Sequence, residues 1–274
     1  MKQSLRAGLV SIILLFSFTH VWAYDQKSLL PVHTFKAGVE SLYFKYEEPD
    51  YMQEDGALFG FVGNYTYHGT NHLMLDANIR LVFGELDYDG QTQDGTPATA
   101  DTEDSIFETR GLVGIDFYLQ NNFVFTPFAG IGYRYWNDDI GGSGGYEREI
   151  RYIYAPVGVR FAQIIDDNWS YGLNLEYDLF LNGKVKSHLS DVHPAFDDVE
   201  NDQDFGDGYG IGFAIMINRK ISDRFGLSFE PYIKYWDIDK SNVSYWTIYD
   251  IPFASGIEPA NETTEVGLRV YFTF

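Results

Sequence analysis

Two short motifs carry the side chains best suited to chemistry. Asp87-Tyr88-Asp89 and Asp191-Val192-His193 each set two polar groups at i and i+2. In an extended chain both side chains of such a pair point the same way. Carboxylates close to an imidazole are the components of general acid–base catalysis. Both motifs lie in acid-rich stretches, where such spacings also arise on a solvated surface. The histidines His33, His68, His72 and His188 have no comparable pattern: His68 and His72 flank a turn, and His188 stands at an odd spacing from Asp191. No glycine-rich phosphate loop, Ser-His-Asp arrangement, zinc spacing or D-x-[DN]-x-[DN]-G calcium loop occurs. With no Cys among 274 residues, thiolate ligands, a thiol nucleophile and a lipid-modified Cys are excluded. No cofactor is expected.

The elements that must position these motifs alternate with a period of two. Leu73, Leu75, Ala77, Ile79, Leu81 and Phe83 share one face, and Asp76, Asn78, Arg80 and Gly84 the other. Similar stretches lie at about 35–46, 56–68, 105–119, 123–136, 148–161, 169–181, 205–218, 225–237 and 262–274, which makes ten strands. Many exceed the five or six residues usual in soluble sheets. Aromatics gather at their ends, as at Tyr65 and Tyr67, Tyr133 and Tyr135, Trp169 and Tyr171. The connections alternate in length. Short ones cover His68–His72, Gln120–Asn122, Ala162–Asn168 and Asn218–Arg224; long ones cover about 47–55, 85–104, 137–147, 183–204 and 238–261. Before the strands, Lys2 and Arg6 precede an apolar run from Leu9 to Phe18, and Val21-Trp22-Ala23 suits signal peptidase. Residues 1–23 are therefore expected to be a signal peptide, and 24–274 a single barrel domain. Mean hydropathy of −0.22 and one short apolar run exclude a multispan helical protein.

The last strand is the most specific feature. Val266, Leu268, Val270, Phe272 and Phe274 are apolar at every second position, and Phe ends the chain. This resembles the C-terminal strand of Gram-negative outer-membrane β-barrels, in which a terminal Phe is an assembly signal read by the barrel-assembly machinery. The resemblance implies an all-β, antiparallel, up-and-down transmembrane barrel of about ten strands, with long loops outside and both termini in the periplasm. The strand plan, with D-x-D after the third strand and D-x-H after the seventh, also resembles the omptins, ten-stranded outer-membrane proteases. That resemblance implies that Asp191 orients His193, that His193 takes a proton from water, and that Asp87 and Asp89 help position the water. The Gly183-Lys184-Val185-Lys186-Ser187 context before D-x-H belongs to the same comparison.

Ten strands enclose a narrow bore. The inward-facing set mixes acids with bases: Asp116, Glu176, Asp178 and Glu230 with Arg80, Arg110, Arg134, Arg160, Lys234 and Arg269. Buried charges persist when paired, so a salt-bridged interior is expected rather than an open pore. The whole chain carries 40 acids against 19 bases, a net charge of −21, which excludes a nucleic-acid partner. Most of the surplus falls between strands, and suits lipopolysaccharide with divalent cations, or cationic peptides, as partners. The expected role is a non-catalytic surface barrel, structural or binding. An omptin-like protease acting on basic peptides and a small-solute pore are the alternatives.

Overall fold

The computed structural model describes residues 29–91, 95–142 and 144–274; the expected signal segment lies outside them. The alternating stretches form β1 (His33–Glu48), β2 (Met52–His68), β3 (Leu73–Gln91), β4 (Pro97–Ile115) with its short continuation β5 (Phe117–Leu119), β6 (Phe123–Ile140), β7 (Glu147–Ile164) and β8 (Trp169–Ser187). They continue as β9 (Val199–Gln203), β10 (Gly208–Ser222), β11 (Phe225–Ile238), β12 (Ser244–Ile248), β13 (Ile251–Gly256) and β14 (Asn261–Thr273). Sequential antiparallel pairing runs from β1 to β8 through β2, β3, β4, β6 and β7, then through β10 and β11 to β14. β14 pairs back onto β1, from Lys36↔Thr273 to Glu47↔Glu262, and closes a ten-stranded barrel. At the seam, the Phe274 N–H donates to the Phe35 carbonyl at 2.8 Å, and the Phe35 N–H donates back at 3.2 Å. Closure leaves each of the ten barrel strands with two neighbours, which a membrane demands because lipid offers backbone groups no partner.

Parity decides what each side chain meets. Phe59, Phe61, Ile79, Leu81, Phe83, Val113, Ile131, Leu175, Ile211, Ile233 and Leu268 are exposed on the outer wall and make an apolar belt. Tyr43 and Tyr177 stand toward one border of this belt, and Trp169, Tyr171 and Phe272 toward the other. Beyond Phe83 the outer wall turns acidic. Asp55, Asp87 and Asp101 face one another across adjacent strands, as do Glu85, Glu103 and Asp139.

The strands run higher than the apolar alternation foretells. Within the stretch 85–104, expected as a loop, residues 85–91 and 97–104 are paired strands in which Leu86 and Tyr88 turn inward while Glu85, Asp87 and Asp89 turn outward. Acid-out, apolar-in alternation is still a strand pattern; the density of acids conceals it from a reading based on apolar faces. The expected loop at 47–55 shrinks likewise to residues 49–51, where Asp50 takes the left-handed conformation (φ 72°). The connection 137–147 loses residues to β6 and β7, and 183–204 loses residues to β8 and β9. At the opposite end the connections are the short ones expected, residues 69–72, 120–122, 165–168 and 223–224.

Candidate functional site

Inside the belt the inward charges lock to one another. Arg80 on β3 holds Glu40 on β1 and Glu265 on β14, each at 2.8 Å, and Glu108 on β4 at 3.2 Å. Lys234 on β11 reaches Glu108 at 2.9 Å and Asp178 on β8 at 3.2 Å; Arg134 on β6 reaches Glu265 at 2.6 Å. Arg110 pairs with Glu176 at 2.5 Å, Arg269 with Glu230 at 2.8 Å, and Arg160 with Asp76 at 3.2 Å. Arg80–Glu108 and Arg269–Glu230 join paired neighbouring strands, but the other bonds cross the bore between strands that are not neighbours, so the network is a septum. Near the short-turn end, Asp116 takes bonds from His68 (2.6 Å) and Thr126 (2.7 Å), a partnership that the spacing of these residues does not suggest.

Above the charges lies a buried aromatic layer. Trp136 meets Phe44 and Tyr46 edge-on at 5.1 and 5.0 Å, and Trp236 meets Tyr154 edge-on at 5.1 Å. Gly132 makes this packing possible: a Cβ there would sit 2.2 Å from the Tyr154 ring. Three of the buried aromatics stand two residues from septum charges (Trp136 after Arg134, Trp236 after Lys234, Phe180 after Asp178), so parity is the signal that could find them.

Higher again, above the level at which the outer wall turns acidic, five carboxylates gather around one guanidinium. Arg148 on β7 pairs with Glu48 at 3.0 Å, with Asp138 at 3.5 Å, and closely with Glu258. Asp138 on β6 stands directly opposite Asp104 on β4, and Glu54 on β2 approaches both. Burial pushes the Asp138 carboxyl up to about 8, against the pull of Arg148, and Asp104 up to about 6. Glu258 rises to about 7, from burial and from Glu48, with Arg148 opposing. Glu54 is also raised well above the usual range, first by burial and then by Asp138. This cluster went unread in the sequence, although Glu54, Asp104, Asp138 and Arg148 keep the parity of the inward files.

Over the cluster the barrel opens into a vestibule of about 1190 Å³. Glu48, Arg148 and Glu258 form its floor, and Tyr88, Trp246 and Phe253 are among its walls. On the other side of the aromatic layer, the pocket among Arg110, Glu176, Lys234 and Arg269 measures about 60 Å³, room for a few waters.

The structure does not bring the two sequence motifs together. Asp87 and Asp89 continue the outward file of Leu81 and Phe83 and are exposed on the outer wall. Asp191 ends a short 3₁₀ turn (Leu189–Asp191) and accepts from the Glu147 N–H at 3.3 Å. His193 Nδ1 accepts from the Ala195 N–H at 3.1 Å, and its ring packs on Phe196. His188 instead bonds Glu149 (3.3 Å) and Asp198 (3.1 Å). Val270 and Phe272 lie in the outward file of β14 and Phe274, just past its end, continues that file, with the Phe225 ring against Phe272 and Phe274.

Comparison with known proteins agrees with this architecture. The family model for the autotransporter beta-domain matches residues 50–230. Among solved structures, the Escherichia coli outer-membrane protease OmpT is similar over 91% of this chain and 99% of its own, with a TM-score of 0.56 at 10% identity. An outer-membrane channel from Pseudomonas putida F1 is similar over 92% and 100%, with a TM-score of 0.40 at 11% identity. The Pseudomonas putida toluene transporter TodX follows over 89% and 90%, with a TM-score of 0.35 at 8% identity. At these identities the OmpT likeness is one of fold. No curated protein matches the chain.

Proposed function

The chain belongs to the autotransporter beta-domain family, and from that premise we propose that it is a closed, non-catalytic surface barrel that holds a ligand in its vestibule. It sits in the Gram-negative outer membrane with the vestibule facing the medium and both termini in the periplasm. The observation that carries this reading is the septum. Conduction needs a continuous wet path, and paired charges capped by an aromatic layer oppose one. A general base must come within reach of the water it activates. The exposed placement of Asp87 and Asp89 on the outer wall supports a different use for them. In the rows Asp55–Asp87–Asp101 and Glu85–Glu103–Asp139, like charges stand directly opposite, which destabilises a sheet unless cations screen them. Divalent ions shared with lipopolysaccharide phosphates would supply that screening just above the apolar belt. Acids on the vestibule floor and aromatics in its walls suit cationic peptides.

One preparation tests the reading. Protein refolded with lipopolysaccharide is placed in planar bilayers and, separately, incubated with a dibasic peptide. The expected result is no stable current, saturable peptide binding, and background cleavage equal in wild type and His193→Ala. Regular conductance steps, or cleavage lost on His193→Ala, would refute it.

A further inference from the structure

Five carboxylates around one guanidinium leave an excess of buried negative charge. Arg148 is shared among Glu48, Glu258 and Asp138. Glu54 receives nothing from it within ion-pair distance: the side chain is fully buried, and neither of its oxygens has a hydrogen-bond partner among the described residues. The oxygens of Asp138 also lack hydrogen bonds, and Asp104 is bonded by the Trp136 Nε1–H at 2.6 Å. Such groups do not stay buried and ionised without compensation.

We propose that Glu54, Asp104 and Asp138 bind one hard divalent cation, of the calcium class, beneath the vestibule floor. Oxygens from the three side chains lie within 4.8 Å of one another. A single ion about 2.4 Å from each donor, the ordinary calcium–oxygen distance, spans that separation. The donors are all carboxylate, with no imidazole or sulfur, which favours calcium, magnesium or manganese over zinc and copper. Calcium accepts irregular and bidentate coordination, whereas magnesium demands near-octahedral geometry. Rigid elements supply the ligands. Asp104 and Asp138 form one cross-strand pair, and Glu54 reaches them from β2, past β3. The vestibule gives an aqueous approach to the neighbouring Arg148 and Glu258.

The test uses full-length mature protein refolded in detergent without lipopolysaccharide, so that no lipid-bound ion contributes. Calcium is titrated by calorimetry. Terbium is titrated by luminescence sensitised through tryptophan, Trp136 being bonded to a ligand. The expected result is one ion per chain, with affinity at least tenfold weaker in Glu54→Gln and Asp138→Asn, and unchanged in Asp223→Asn at a distant turn. Heat-modifiable migration verifies that each variant is folded. Without calcium, Glu54→Gln should melt no lower than wild type, since it removes an uncompensated charge. With calcium, only wild type should gain. Absence of saturable binding at millimolar calcium, or wild-type affinity in both variants, overturns the proposal. So does a variant more stable than wild type with no calcium response in either, which would mean that the carboxyls hold protons instead.

Discussion

Arg80→Met is the sharpest probe of the septum. Arg80 is 5% exposed, and its guanidinium grips three carboxylates, Glu40, Glu265 and Glu108. Met fills most of the volume, so the loss is mainly electrostatic. Breaking a buried ion pair from one side costs about 3–5 kcal/mol, because a charge remains without its partner. Here each acid keeps another cation: Glu40 has Arg269 at 3.1 Å, Glu265 has Arg134 at 2.6 Å, and Glu108 has Lys234 at 2.9 Å. The lower end, about 3 kcal/mol, is therefore expected. With a urea slope of about 3 kcal/mol per molar, the unfolding midpoint of protein refolded in lipid vesicles should fall by about 1 M. Adding Glu265→Gln to Arg80→Met should restore part of the loss, since the two groups touch and their effects are not additive. A loss below about 1 kcal/mol, the worth of an exposed pair, would mean that the septum is wet and screened.

Two further outcomes follow from residues at the ends of the barrel. Replacing Phe274 by Asp should impair assembly, read as loss of the heat-modifiable band and of outer-membrane recovery, because it places a charge in the outward apolar file and at the seam. Glu258 titrates up to about 7 when folded, against about 4.5 when unfolded. Below about pH 4.5 both states hold the proton; between there and pH 7 only the folded state does, so stability falls as pH rises, by at most about 3 kcal/mol. Glu258→Gln should flatten that window in pH-dependent unfolding; an unchanged slope would refute the assignment.

Much of the barrel is legible because lipid imposes a simple rule. Leu75, Ile79, Leu81 and Phe83 must be apolar, so β3 declares its face over the membrane stretch. Above the belt water faces the outer wall, and Glu85, Asp87 and Asp89 look like loop composition although the pleat continues. Extending the parity of Leu81 by six residues places Asp87 on the outer wall. The position of Asp191 and His193 is harder to read, because the 3₁₀ turn that Asp191 ends breaks the alternation there. The acidic cluster is harder still. Glu54, Asp104, Asp138 and Arg148 come from four strands, and only the register around the barrel brings them level.

The seam between β1 and β14 has a kinetic consequence. Around most of the ring, strands pair with chain neighbours across short or moderate connections, but Lys36 meets Thr273, joining the ends of the described chain. Local hairpins form quickly, whereas a contact across the full length of a chain carries the largest loop-closure entropy and is expected late. Until it forms, the nascent sheet has two free edges, each a template for pairing with another chain. The interval before closure is therefore the one in which this protein most needs an escort, and a variant that slows closure would be lost to aggregation even if its finished barrel were as stable as the original.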